Sequence, residues 1–208
     1  MNPLIIVKVG GSLLDWPDLR PRLGEFLRTL QVSARRPVLI VGGGGAADAV
    51  RKMDRTHGLG EDASHRLAVR ALDLTARVVE SLDYDRYIVV ETLADCLEPP
   101  HGRVPILAPR RFLEEVDALG PDPLRRSWAV TSDSIAARVA RGLGSNELIL
   151  LKSADGPENL SADQAALLGL VDQEFPNVGR EIAVVSLLNP RNVAPRASRV
   201  WFESKNHN

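Results

Sequence analysis

The sequence has one cysteine, no long hydrophobic run and no excess of positive charge, and each of these excludes a class of protein. Cys96 is the sole cysteine, which excludes a disulfide framework and a thiolate metal cluster. No apolar stretch reaches the length of a transmembrane helix, and Met1-Asn2-Pro3 leads straight into a predicted strand, so we expect a cytoplasmic protein with no membrane partner. A formal net charge of -1 and a pI near 6.4 provide no basic surface for nucleic acid.

The scarcity of lysine draws attention to the lysines that remain. Of the 26 basic residues, four are lysines. An ammonium group and a guanidinium group are not interchangeable at a tight phosphate site. Lys8 and Lys152 lie near the ends of apolar runs, where a charged amine needs an anion to stabilise it, whereas Lys52 and Lys205 fit a solvated helix face and a tail. We therefore treat Lys8 and Lys152 as candidate catalytic residues.

The 208 residues, 44% of them hydrophobic and 25% charged, suit a single globular domain with one sizeable core. Apolar runs predict strands from Leu4 to the Gly10-Gly11 turn and at Pro37–Val41, Tyr87–Val90, Val104–Leu107, Leu148–Lys152, Ile182–Ser186 and, as an edge strand, Arg199–Glu203. Helical spacing predicts helices over Leu19–Leu30 with Asp18 as N-cap, Ala46–Met53, Glu61–Leu82, Arg111–Leu119, Ile135–Leu143 ended by Gly142 and Gly144, and Ser161–Leu168, followed by a frayed tail at Ser204–Asn208.

Strands that alternate with helices of this length predict an α/β fold with a mostly parallel sheet covered on both faces. In such sheets ligands bind outside the carboxyl ends of the strands. Lys8, the glycine run Gly42–Gly45 and Lys152 all fall at predicted strand ends. The loop Gly120–Pro123 is the expected internal boundary.

Two glycine turns are candidate phosphate contacts. Four consecutive glycines allow a ligand to approach the main chain, and the helix that follows them offers free N–H groups to an anion. The candidate phosphate-binding residues are Gly10, Gly11, Ser12, Gly43 and Gly44.

Asp133 and the histidines have both a functional and a structural interpretation. Asp133 is suited to the first turn of a helix, yet it is also suited to hold the two lysines in place or to help hold a magnesium ion. His65 is a candidate substrate contact, and because no third ligand stands at metal spacing from His57 and His65, we expect no zinc site. Asp155-Gly156 is a common turn dipeptide and by itself a weak signal.

Two nucleotide-binding patterns fit less well. The glycine run is followed by Ala46-Ala47-Asp48 and not by Gly-Lys-Ser/Thr, so the phosphate-loop pattern is absent. Gly42, Gly44 and Ala47 match the loose dinucleotide fingerprint of an oxidoreductase, but the acidic residues Glu61-Asp62 begin a long helix instead of ending a strand. That interpretation also leaves Lys8 unexplained.

Three ordered motifs resemble those of the amino acid kinase superfamily, and they are Lys8-Val9-Gly10-Gly11-Ser12, Val41-Gly42-Gly43-Gly44 and Thr131-Ser132-Asp133-Ser134-Ile135-Ala136. The resemblance implies a three-layer α/β/α sandwich, use of ATP with Mg²⁺, and transfer of the γ-phosphoryl group to a carboxylate, carbamate or phosphate oxygen of a small anionic acceptor. It also implies a homo-oligomer, with an acceptor-side half over about 1–120 and a nucleotide-side half over about 121–203. Within the superfamily the short chain, the block Trp128–Ala136 and the region His57–His65 are most similar to the branch that phosphorylates aminomethylfuran-methanol phosphate in methanofuran-type cofactor synthesis.

The resemblance also implies roles for individual residues. Lys8 would stabilise the transferred phosphoryl group, and Asp133 would orient the catalytic lysine. Gly10, Gly11, Gly43 and Gly44 would cradle phosphates. The turn after Leu151, with Lys152, Asp155 and Gly156, would face the nucleotide, and Gly45, His65 and Ser132 would contact the substrate.

The chain departs from the superfamily in one respect. Many members carry a later Gly-Gly-Met segment followed by a second catalytic lysine, and nothing between Gly156 and Asn208 matches it. Either Lys152 takes the place of that lysine, or the nucleotide half is reduced and the protein is a non-catalytic nucleotide or anion sensor.

Overall fold

The computed structural model describes residues 2–203, so the predicted frayed tail and Lys205 lie outside the described part. The chain forms one eight-stranded sheet that contains strands from both predicted halves. The strands are β1 (Leu4–Val9), β2 (Arg36–Val41), β3 (Tyr87–Val90), β4 (Val104–Leu107), β5 (Glu147–Leu151), β6 (Asn159–Ser161), β7 (Val184–Leu188) and β8 (Ala197–Trp201). Lys152 therefore follows its strand and does not end it.

The strand order is β3-β4-β2-β1-β5-β7-β8-β6. Strand β1 is central and pairs in parallel with β2 and β5, with Lys8 opposite Ile40 on one side and Leu150 on the other. Only the β7–β8 pairing is antiparallel among the described pairs, which confirms the mostly parallel sheet. The predicted edge position of the last strand is wrong, because the three-residue strand β6, too short to show a periodic pattern, pairs with its outer side.

Eight helices accompany the strands within residues 2–203. They are α1 (Leu19–Val32), α2 (Gly44–His57), α3 (Glu61–Leu82), α4 (Leu93–Leu97), α5 (Pro109–Glu115), α6 (Ser132–Gly142), α7 (Ala162–Leu167) and α8 (Phe175–Val178). The predicted helix Arg111–Leu119 is split at Val116 into α5 and a single 3-10 turn. No helix in the described stretch combines the length and the apolarity that are needed to cross a bilayer.

The two faces of the sheet carry separate hydrophobic clusters, which confirms the three-layer α/β/α sandwich. One cluster joins the sheet to α1, and the other joins it to α6, α7 and the first half of α3. Because side chains alternate along a strand, Ile5, Val7 and Val9 face α1, while Ile6 faces α6. Lys8 lies on the same side as Ile6, so its side chain extends toward α6.

Candidate active site

Three buried charged side chains meet where β1, β5 and α6 converge. The Lys8 Nζ lies 2.9 Å from Asp133 Oδ1, and the Lys152 Nζ lies 2.7 Å from each Asp133 oxygen. The exposed fractions of these side chains are 5% for Lys8, 5% for Asp133 and 15% for Lys152. Strand β1, the end of β5 and the first turn of α6 thus bring together three residues that are distant in sequence.

Burial and the neighbouring charges shift the pKa values of Asp133 and Lys152. Burial alone raises the pKa of Asp133, but the adjacent Lys152 and Lys8 outweigh it and lower that pKa to about 2. Burial, together with the charge of Lys8, outweighs Asp133 and lowers the pKa of Lys152 to about 8. Both Asp133 oxygens are engaged by ammonium groups, which favours the interpretation that Asp133 holds the lysines over the one in which it holds a metal ion.

The side chain of Asp133 is free for the lysines because a different residue caps α6. Asp133 lies in the first turn of α6, as the sequence predicts, but it does not cap the helix, because both of its carboxylate oxygens contact the ammonium group of Lys152. Asp172 accepts hydrogen bonds from the backbone N–H groups of Thr131 at 2.9 Å and Ser134 at 3.0 Å, and from both of their hydroxyl groups. Burial raises the pKa of Asp172, and the nearby Asp133 adds to that effect. Sequence reasoning missed Asp172, which lies 38 residues beyond Ser134 in a segment without a motif.

The two glycine turns touch each other beside this cluster. A Cβ on Gly11 would lie 2.3 Å from the backbone nitrogen of Gly44, and a Cβ on Gly10 would lie 2.7 Å from the carbonyl oxygen of Leu151. Side chains at these positions would force the turns and β5 apart. Part of the glycine run therefore serves contact between backbones, in addition to the ligand approach that the sequence predicts.

The glycine turns form one wall of a cavity of about 240 Å³. The N-termini of α2 and α6 both border it, and helix N-termini favour anions. Of the predicted site residues, those that line the cavity are Gly11, Ser12, Gly43, Gly44, His65 and Ser132. The lysine cluster is not part of this lining, but it is close to it along the chain, since Gly11 lies three residues after Lys8 and Ser132 lies next to Asp133.

The outer wall of the cavity is an aromatic and charged arrangement that the motifs did not reveal. The indole N–H of Trp128 donates to Asp54 at 2.9 Å, and the guanidinium of Arg51 lies 4.7 Å from the centre of the Trp128 ring. Arg51 also pairs with Asp48 at 2.7 Å. The only signal for this wall was the spacing of Asp48 and Arg51, which is ordinary for an exposed helix.

The imidazole of His65 is largely buried at the side of the same cavity. Its Nδ1 lies 3.1 Å from the carbonyl oxygen of Ser127, and burial lowers its pKa. A neutral imidazole is therefore the favoured form at neutral pH.

Three of the predicted site residues lie elsewhere. Gly45 is exposed and does not line the cavity, and no atom lies within 4 Å of the position its Cβ would take. Asp155 and Gly156 line a separate, larger cavity of about 700 Å³ together with Arg196 and Ser198. Their predicted role in nucleotide binding stays a prediction.

The turns near Lys8 and Lys152 are joined by side chains. The hydroxyl groups of Ser12 and Ser153 lie 2.8 Å apart, and a guanidinium nitrogen of Arg191 lies 3.4 Å from the carbonyl oxygen of Ser12. In the described residues 2–203 there is no group of three or more His, Cys, Asp or Glu side chains that could hold a metal ion by itself.

Comparison with known proteins gives one sequence family. The profile described as "Amino acid kinase family" matches residues 3–156. A [5-(aminomethyl)furan-3-yl]methyl phosphate kinase from Methanocaldococcus jannaschii is 31% identical over 182 residues, which cover 82% of this chain and 80% of that protein.

Solved structures share the fold at low sequence identity. Aspartate kinase from Synechocystis superposes with a TM-score of 0.71 at 12% identity, over 99% of this chain but 40% of the aspartate kinase chain. UMP kinase from Ureaplasma parvum superposes with a TM-score of 0.68 at 13% identity, over 98% of this chain and all of the other. Uridylate kinase from Archaeoglobus fulgidus gives 0.61 at 18% identity, over 96% and 91%.

Proposed function

The chain belongs to the amino acid kinase family and is a phosphotransferase, and we propose that it transfers the γ-phosphoryl group of ATP to [5-(aminomethyl)furan-3-yl]methyl phosphate. The products would be ADP and the corresponding diphosphate, an intermediate for methanofuran-type cofactor synthesis. The observation that carries the proposal is the buried Lys8–Asp133–Lys152 cluster next to two glycine turns. The relative from Methanocaldococcus jannaschii supports the choice of acceptor.

In this reaction an oxygen of the acceptor's phosphate attacks the γ-phosphorus of ATP. The new bond joins that oxygen to phosphorus, and the bond between the γ-phosphorus and the β,γ-bridging oxygen breaks. A phosphate dianion needs no general base, so positioning and charge stabilisation suffice. Lys8 and Lys152 would face the negative charge on the transferred group, and Asp133 would keep both ammonium groups in place.

The residues around the cluster suit a nucleotide. The turn at Lys152, Asp155 and Gly156 would hold ATP, with the larger cavity as the place for its nucleoside. Mg²⁺ bound to ATP would neutralise charge on the β- and γ-phosphates, and its oxygen ligands would come mainly from those phosphates and water. We infer that Lys152 takes the place of the distal lysine found in many family members, because its Nζ reaches the same carboxylate as Lys8.

Two alternatives remain open to test. The missing Gly-Gly-Met segment favours a non-catalytic nucleotide or anion sensor that keeps the kinase fold. In the second alternative, the acceptor is a carboxylate or a carbamate. The same groups would bind the transferred phosphoryl group, but the acceptor would make different contacts in the cavity.

Release of ADP, measured over a panel of phosphomonoesters, carboxylates and carbamates, tests these proposals. We expect turnover with [5-(aminomethyl)furan-3-yl]methyl phosphate, and we expect Lys8→Ala to lower kcat on the order of 100- to 1000-fold, because a preorganised charge at the transferred group is lost. The matched control is Lys52→Ala, which removes an exposed lysine of α2. Tight ATP binding without turnover on any acceptor would favour the sensor, and an unchanged rate in Lys8→Ala would refute the mechanism.

The expected homo-oligomer has a candidate surface. The exposed side of α3 carries Leu67, Leu74 and Val78, with exposed fractions of 41%, 57% and 43%. Size-exclusion chromatography with light scattering, on wild type and Leu74→Arg, tests whether this face joins two copies.

A kinase that depends on ATP would act in the cytoplasm, which fractionation of the native host would check.

A further inference from the structure

The cavity of about 240 Å³ beside the glycine turns is the acceptor cavity of the proposed reaction, and Asp48 is the one carboxylate among its described lining residues. The proposed acceptor carries a phosphate at one end of a furan ring and an aminomethyl group, cationic at neutral pH, at the other. We propose that Asp48 binds this ammonium group and thereby selects acceptors that carry an amine. This inference rests on the proposed function, and it names a specificity residue outside the phosphoryl-transfer motifs.

The position of Asp48 along α2 suits the far end of the acceptor. The phosphate to be phosphorylated must lie at the glycine turns and the N-terminus of α2, next to Lys8. Asp48 lies four residues after Gly44, so it is displaced by about 6 Å along the helix from that end. A carboxylate one turn beyond the phosphate site can reach the opposite substituent of a small ring.

The carboxylate of Asp48 has room for a further hydrogen bond. Its Oδ1 accepts from Arg51 at 2.7 Å, and its side chain is 70% exposed. An ionised carboxylate accepts about four hydrogen bonds, so one guanidinium contact leaves capacity for an ammonium group. The contact with Arg51 fixes the orientation of the carboxylate, and the ammonium group of the acceptor would bind to its free lone pairs.

The furan ring would have a fixed aromatic wall between the two ends. Trp128 is held at its indole N–H by Asp54 and on its ring by Arg51. Val69 and Leu72 supply apolar surface in the same cavity. A flat ring with a charged group at each end would thus find glycine N–H groups, apolar and aromatic side chains, and a carboxylate in one cavity.

Arg51 is less available to bind an anionic substituent of an acceptor than Asp48 is to bind a cationic substituent. Its guanidinium already stacks on Trp128 and donates to Asp48, so an anion there would compete with Asp48. It would also place a second anion in a cavity whose inner end is already reserved for phosphate.

The test compares two acceptors and two variants. The acceptors are [5-(aminomethyl)furan-3-yl]methyl phosphate and furan-3-ylmethyl phosphate, which lacks the amine. We expect Asp48→Asn to lower kcat/KM for the amine acceptor by about 10- to 100-fold, as the loss of a charge-assisted contact does, and to change kcat/KM for the amine-free acceptor less than about twofold. The control Glu25→Gln removes the same charge from another exposed pair three residues apart, Arg22–Glu25 on α1.

Each result decides the question. Equal losses for both acceptors, or no loss for either, would overturn the role of Asp48. Failure of wild type to phosphorylate the amine acceptor would instead refute the proposed function, before any variant is considered. In that case calorimetric binding of the two furan phosphates to wild type and Asp48→Asn still tests the contact, and equal affinities of wild type for both would overturn it.

Discussion

Two charged groupings, one behind the glycine turns and one in the lining of the cavity, differ most in their access to water. The lysine cluster, Lys8–Asp133–Lys152, is buried, with side chains that are 5%, 5% and 15% exposed. The rim pair, Asp48–Arg51, has side chains that are 70% and 39% exposed. Both join a carboxylate to cations at about 2.7 Å, so the distances alone do not distinguish them.

Burial makes the two groupings respond differently to change. In the lysine cluster each charge depends on the others, because water cannot replace a lost partner. In the rim pair water can, so the pair contributes about 0.3–0.5 kcal/mol to stability. The inner end of the cavity is therefore constrained by the fold. Residues at the outer end can be substituted, and the choice of acceptor altered, at little cost in folding stability.

Replacement of Asp133 should have the largest effect. Asp133→Asn would leave two buried ammonium groups without an anion, and we expect it to lower the free energy of unfolding by about 3–5 kcal/mol. Phosphoryl transfer should also fall steeply, because neither lysine is held. Urea denaturation and ADP release measure the two effects.

Asp163→Asn is the control for that experiment, because Asp163 is an exposed second residue of α7 just as Asp133 is the buried second residue of α6. Equal stabilities of the two variants would mean that the buried Asp133 contributes no more to stability than an exposed aspartate does.

The pH dependence of catalysis should reveal the lysine cluster next. Lys152 has a pKa lowered to about 8, so it loses its proton as the pH rises through 8, and the charge that faces the phosphoryl group is lost. We expect kcat/KM to fall by about tenfold per pH unit above that value. In Lys152→Arg the guanidinium stays charged, and the alkaline fall should move to higher pH.

The acid side provides the internal control for this profile. Asp133 has a pKa of about 2, so it stays ionised down to that pH and should add no acidic limb between pH 5 and 7. An alkaline limb that is identical in wild type and Lys152→Arg would show that another group titrates.

The sequence was informative wherever a local pattern determines the structure. Alternation and helical spacing predicted the parallel sheet and found α3 at its observed bounds, Glu61–Leu82. Lys8 was found because an amine in an apolar strand is anomalous, and the alternation of side chains then directs it to α6. The predicted helix from Ser161 is also present as α7, and a capping box of Ser161 and Gln164 begins it.

The sequence was uninformative wherever the structure depends on contacts between distant segments. Strand β6 and helix α8 have three and four residues, too few for a period, and their positions depend on β8 and Asp172. Asp172 caps α6 from a distant segment, so no spacing near Thr131 indicates it. The rim pair and Trp128 look like ordinary surface residues until α2 and α6 are seen to enclose one cavity.

Removal of Arg51 should have the smallest effect on folding and so tests the rim pair directly. We expect Arg51→Ala to lower the free energy of unfolding by no more than about 1 kcal/mol, since an exposed ion pair and a cation–π contact with Trp128 are lost. We also expect a several-fold rise in KM for the amine acceptor with kcat nearly unchanged, because Asp48 and the Trp128 ring lose the group that orients them while Lys8 and Lys152 keep their places.

Arg28→Ala, on the exposed side of α1, is the charge-matched control for Arg51→Ala. A loss of several kcal/mol in Arg51→Ala would show that the wall of the cavity is part of the folding core. A fall in kcat without a change in KM would show that the rim acts on the transferred group. Either result would remove the distinction between a fixed inner end and an adjustable outer end, because the rim would then depend on the same packing that holds the lysine cluster.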